Sequence, residues 1–148
     1  MKIKFFDNNG CMRPDAICAG VYQFKIGLLD DEKNKEENKY LSLYVGESYS
    51  MALRCSSHLY EVFHTDPSYF GLTRQNLEDN RLLLIAEIYE KVEVSDETTN
   101  SERDILLREK EKAAIEKLCP LSQLQGSDRL NKDRVEIVQK AIEKLLSK

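Results

Sequence analysis

The spacing of apolar positions changes several times along the chain. From Ala19 to Leu29, Tyr22, Phe24, Ile26 and Leu28 alternate with Val21, Gln23, Lys25 and Gly27, the two-residue period of a half-buried strand. Tyr40 to Gly46 predicts a second strand, with Leu41, Leu43 and Val45 on one side and Ser42 and Tyr44 on the other. Consecutive strands joined by a polar connection pair most simply as a hairpin. A register placing Tyr22 opposite Tyr44 would bring both phenols onto one face. From Ser50 to Phe63 the period becomes helical: Met51, Cys55, Leu59 and Val62 share a face, and Arg54, His58 and Glu61 fall on another. Asp66 to Gly71 breaks the chain, and Thr73 opens a short helix.

Between Arg81 and Val94, both Leu82, Leu84, Ala86, Ile88 and Leu83, Ile85, Tyr89 are mostly apolar, which predicts a strand covered on both sides and the best-buried element of the chain. Ser101 is the expected N-cap of a helix with acids in its first turn, running to Leu118 and stopped by Cys119-Pro120. Ser127 or Asn131 then caps a last helix whose stripe is Leu130, Val135, Val138, Ile142 and Leu145. That stripe either caps the core or makes a homodimer contact. At the other end, IKFF and DNNG suggest a short strand and a turn.

With 148 residues, 41% of them hydrophobic and 32% charged, the chain reads as one domain spanning residues 1–148. Its net charge of −4 argues against coating long nucleic acid by electrostatics alone, so any contact with phosphates must be local. Part of the acidity lies in DDEKNKEENK, Asp30 to Lys39, read as a solvated loop. Four scattered cysteines and the absence of an apolar leader point to free thiols and a cytoplasmic location. The longest apolar run, Leu82 to Ala86, is too short for a membrane span.

Candidate chemistry begins with an anomaly in the long helix. Its apolar stripe is Leu107, Ala114, Ile115 and Leu118, and Glu111 sits in the middle. A carboxylate facing a core needs a cation, hydrogen-bond donors or water, and the bland account is a rim position salt-bridged to a lysine. Arg54 and His58 stand one helical turn apart and can address one anion, although such a pair is often only a solvated face. Tyr22 alone reads as a core tyrosine. Cys55 and His58 have the spacing of half a zinc site, but the remaining cysteines offer no matching pair, so a buried thiol accounts better for Cys55.

Together these residues resemble a family. Gly20-Val21-Tyr22 and Tyr44-Val45-Gly46 resemble the two strand motifs of the GIY-YIG nucleases. Arg54, eight residues after Gly46, and His58, four later, are similar to that family's helix with its arginine and following His or Tyr. REKEKAAIEKLCPLSQ resembles its metal-binding helix, with Glu111 at the glutamate position and Gln123 at that of the family's asparagine. The resemblance covers about residues 19–123, leaving a C-terminal helical extension at about 127–148. It departs from the family in the long insertion between the two tyrosine motifs, in Gln123 for asparagine, and in Glu47 where some members carry lysine.

The resemblance implies an α+β fold with a small three-stranded, mainly antiparallel sheet flanked by helices, plus the additional C-terminal helix. It implies a divalent-metal-dependent endonuclease that hydrolyses DNA phosphodiester bonds, with Glu111 holding Mg²⁺ (or Mn²⁺) and Arg54 bracing the phosphate. Tyr22 or Tyr44 would be the general base, with His58 or another positive charge assisting, and Gly46 and Gln123 would lie at the substrate. The competing reading is a catalytically inactive nucleic-acid or protein interaction domain on the same scaffold.

Overall fold

The computed structural model describes residues 1–30 and 40–147, so the expected solvated loop lies outside the described residues from residue 31 onward. The architecture is α+β, but its main sheet has four strands, not three. β4 (Gly20–Leu28), β5 (Leu41–Ser48) and β6 (Leu82–Lys91) form the expected antiparallel unit, with β4 in the middle. The fourth strand, β1 (Lys2–Phe5), runs parallel to β6 and completes the order β1-β6-β4-β5. Its four residues, KIKF, pair with the apolar stretch Leu83 to Ala86 of β6.

DNNG closes a separate two-stranded hairpin, β2 (Asp7–Asn8) with β3 (Cys11–Met12). Asn9 and Gly10 both take positive φ, 55° and 90°, as a tight hairpin turn requires.

The register, which the sequence left open, does not pair the tyrosines directly. Tyr22 lies opposite Gly46, and Phe24 lies opposite Tyr44. Paired residues share a face and so do residues two apart, so the phenols still occupy one face, as diagonal neighbours. A bulge after Phe24 leaves Leu43 without a partner on β4 and reverses the alternation beyond it. Leu41 therefore stands opposite Ile26 on the tyrosine face, and Leu43 is buried in the same cluster, while Val45 points to the opposite face. Simple alternation had placed Leu41, Leu43 and Val45 together. The best-buried strand is β4 and not β6, whose second half extends beyond β1 and opens to solvent.

Helix α1 (Met51–Tyr60) covers the tyrosine face and ends in a π-helical turn, Glu61–Thr65, where the Asp66 N–H donates to the Glu61 carbonyl at 2.7 Å. A tight turn, Pro67–Phe70, then leads through Gly71 to α2 (Arg74–Glu78), opened as expected by Thr73. Helix α3 (Asn100–Leu118) packs on the opposite face, where Ala114 and Ile115 meet Val21 and Val45. Its cap is Thr99, two residues before the expected Ser101, because the Thr99 hydroxyl reaches the Glu102 N–H at 3.1 Å. It stops at Cys119-Pro120 as expected.

Helix α4 (Arg134–Leu146) begins later than either expected cap, after an irregular stretch from residue 127, and its N-cap is Asp133. Val138, Ile142 and Leu145 are buried in the main core, so the stripe is used within the chain, with Val135 left exposed. Gly71, at φ +78°, lets α4 approach: a Cβ there would stand 2.7 Å from both the Arg134 carbonyl and the Val138 side chain. Among the described residues no helix is long and apolar enough to cross a membrane.

Candidate functional site

Tyr22 and Tyr44 are supplied by neighbouring strands and His58 by the helix packed over them. The Tyr22 hydroxyl is 2.9 Å from Nε2 of His58, and the His58 ring lies 5.0 Å from that of Tyr44 between centroids. Gly46 makes this possible, because a Cβ on it would overlap the Tyr22 hydroxyl. Only glycine at this point of β5 lets the phenol lie across the strand. Tyr69 and Phe70, from the turn after α1, close the cluster on its far side, with ring centroids 5.3 and 5.7 Å from His58.

His58 is 4% exposed, which corrects its assignment to an outer face beside Arg54. The buried line of this segment is Met51, Cys55, His58 and Val62, at spacings of four, three and four. Leu59, chosen for its hydrophobicity, stands at the flank and is only partly buried. Arg54 is exposed, one turn before His58, and makes no ion pair or side-chain hydrogen bond among the described residues.

Burial dominates the electrostatics of this cluster. It pushes the tyrosine hydroxyls well above their ordinary range, with Tyr44 adding to the effect on Tyr22 and the Arg54 charge opposing it for both. Tyr44 is raised further by a hydrogen bond to Tyr69 and by the charge of Glu111. Burial likewise pushes His58 down to about 4, with Arg54 acting in the same direction, so the imidazole is neutral at pH 7 and one ring nitrogen can accept a proton. The Cys55 thiol is buried, free and raised. Among the described residues no group of three or more His, Cys, Asp or Glu side chains could hold a metal ion, which leaves Cys55 and His58 without further zinc ligands.

Glu111 reaches the other side of β5. It makes no ion pair with a lysine among the described residues, since Lys110 pairs instead with Glu90 at 3.1 Å. Burial first, then the charges of Glu47 and Asp128, push it up to about 7, against a hydrogen bond from the Glu47 backbone N–H and the charge of Arg108. It lines an open cleft of about 250 Å³ with Arg108, Lys112, Ile115 and Asp128.

Gln123 is 5% exposed and acts as an edge cap. It accepts from the Val45 N–H at 2.9 Å and donates to the Val45 carbonyl at 2.8 Å. The outer edge of β5 is thus closed by a series of groups that do not form a strand. The Leu121 and Ser122 N–H groups bond Ser42 and Leu43, the Gln123 amide bonds Val45, and the Glu111 carboxylate bonds Glu47.

Tyr22, Tyr44, Arg54, His58, Gly46 and Glu111 therefore converge on one end of the β4–β5 pair, with the tyrosines and His58 on one face and Glu111 across the edge. Sequence reasoning missed two neighbours. Tyr69 sits in a turn without periodicity, and Asp128 is brought to Glu111 by an irregular loop; neither had a local signal. No family model, curated protein or solved structure matches the chain.

Proposed function

We propose that the protein is a divalent-metal-dependent endonuclease that hydrolyses DNA phosphodiester bonds. The observation that carries this reading is the convergence of a Tyr–His hydrogen bond, an arginine without an ion pair among the described residues and a half-buried glutamate around one end of the β4–β5 pair. Arg54 offers an unused guanidinium fork to the scissile phosphate.

Tyr22 is the general base. Its raised pKa rules out a standing phenolate, but its hydrogen bond to His58 supplies a relay. As the attacking water gives a proton to the Tyr22 oxygen, the Tyr22 proton passes to Nε2 of the neutral imidazole. The new P–O bond forms from that water while the bond to the leaving sugar oxygen breaks.

The donor set at Glu111 suits a hard cation: its carboxylate, raised first by burial and then by Glu47 and Asp128, would be favoured in its ionised form by a positive charge there. Mg²⁺ or Mn²⁺ held by Glu111, with water and phosphate oxygens completing the shell, would supply charge stabilisation at the leaving oxygen. Four free cysteines suit a reducing compartment, and we assign the protein to the cytoplasm.

A second reading, an inactive nucleic-acid or protein interaction domain on the same scaffold, is favoured by a specific observation. Tyr22 is 1% exposed, and Glu111 already bonds the Glu47 backbone, as a structural residue would. Cleavage assays with Mg²⁺ at low salt, over duplex, branched and single-stranded DNA and RNA, separate the two. The nuclease reading expects cutting by the wild type and a loss of about 100-fold or more in Glu111→Ala. Cutting without divalent metal, no cutting on any substrate, or full activity in a folded Glu111→Ala would overturn it.

A further inference from the structure

The rim between α1 and α3 carries a group that the hydrolytic reading does not use. Tyr49, three residues after Gly46 and five before Arg54, is 60% exposed. Arg103, from the start of α3, places its guanidinium 5.5 Å from the centre of the Tyr49 ring. That guanidinium is itself held by Asp104, with Nε and Nη2 at 3.4 and 3.3 Å from Oδ1. The loop beneath the ring is also fixed: the Ser48 hydroxyl accepts from the Ser50 N–H at 3.0 Å and donates to the Ser50 carbonyl at 2.9 Å.

A large ring backed by a fixed cation, with most of its surface open, is a stacking platform whose ordering cost is met before any ligand arrives. The base of an unpaired nucleotide fits such a platform, because both its faces are free and any base can stack. A base inside a duplex has both faces covered by its neighbours.

Donors for the flanking phosphates stand nearby. Arg103 lies at the ring and Arg108 in the cleft beside Glu111, among the carboxylates of Glu47, Asp104 and Glu111. In a chain of net charge −4, these guanidinium groups suit contact with one or two phosphates and not with a long backbone.

We propose that the substrate is a nucleic acid with an unpaired nucleotide beside the cleaved phosphate, its base stacked on Tyr49 and its flanking phosphates taken by Arg103 and Arg108. This rests on the nuclease reading for the placement of a phosphate at Arg54. Aromatic stacking then selects single strands, frayed ends or junctions over continuous duplex.

The test is fluorescence anisotropy with a labelled oligothymidylate and with a labelled duplex, in EDTA so that no cutting occurs. Tyr49→Ala should weaken binding of the single strand about 5- to 150-fold and leave duplex binding unchanged, and Tyr49→Phe should restore it. Arg103→Ala should also flatten the salt dependence, by about 0.7 in the log–log slope for each phosphate it no longer neutralises. Wild-type-like single-strand binding by Tyr49→Ala, or equal losses on both probes, would overturn the proposal. If the wild type cuts duplex DNA and Tyr49→Ala cuts it equally, with no preference for unpaired nucleotides, the nuclease reading stands and this inference falls. If single-strand binding depends on Tyr49 but no substrate is cut, the stacking platform stands and the nuclease reading falls.

Discussion

On one face of the sheet Tyr22, Phe24, Tyr44, His58 and Phe70 pack ring against ring, and every titratable group among them is held neutral. On the other face Val21 and Val45 meet Ala114 and Ile115 over a smaller patch. That patch gives way to the carboxylates of Glu47 and Glu111 on one side. On the other it meets a polar ladder in which Ser42 bonds Gln23, and Gln23 and Lys25 both reach Glu87 at 2.8 Å. The difference teaches that burial alone does not define a reactive centre. The aromatic face fixes geometry and excludes water, while the half-covered face retains a group, Glu111, able to change charge near neutral pH.

The largest expected effect tests the packing half of this contrast. Phe24→Ala should lower stability by about 3–5 kcal/mol in urea denaturation, whereas Val45→Ala on the thinner face should cost about 2 kcal/mol. Equal losses would mean that the faces do not differ in packing. A smaller effect is expected at the edge between them. Gln123→Ala strands the Val45 N–H and carbonyl and should cost about 1–3 kcal/mol, with faster hydrogen exchange at the Val45 amide. Unchanged exchange there would show that water replaces the amide at no cost.

The effects of pH separate the two faces by sign, because each should respond in the opposite sense. Glu111, raised to about 7, keeps in the folded state a proton that the unfolded chain releases near its ordinary value, so stability falls as pH rises through that window and levels above it. Glu111→Gln should remove this slope, and Mg²⁺ should raise the melting temperature of the wild type at pH 8 but not that of Glu111→Gln. His58, lowered to about 4, refuses a proton that the unfolded chain accepts, so its contribution is lost as pH falls below about 6.5 towards 4. An NMR titration of the His58 ring with a midpoint near neutrality would contradict the burial of the aromatic face.

The parts of the fold that repeat were legible in the sequence. Alternation marked β4 and β5, a run apolar on both faces marked β6, helical spacing marked α1 and α4, and Cys119-Pro120 marked the end of α3. What local pattern could not carry was every place where a tertiary partner changes the count. The register that pairs Tyr44 with Phe24 and the bulge that leaves Leu43 unpaired had no local signal, and β1 is paired by the edge of β6. At the site, Glu111 was visible as a carboxylate inside an apolar stripe. The apolar spacing of Met51, Cys55, Leu59 and Val62 passes His58 by, and its hydrogen bond to Tyr22 spans 36 positions of sequence.

The capped edge of β5 also bears on how the chain comes to be folded. Val45 and the amide that seals it are 78 residues apart, and the last cap is in place only when the segment after α3 has docked. During synthesis the β4–β5 pair is available long before residue 123 has left the ribosome, so for that interval it presents an open, adhesive border to whatever strand is nearby. Non-local closure of this kind slows the final folding step. The nascent hairpin is therefore the species that chaperones would be expected to meet.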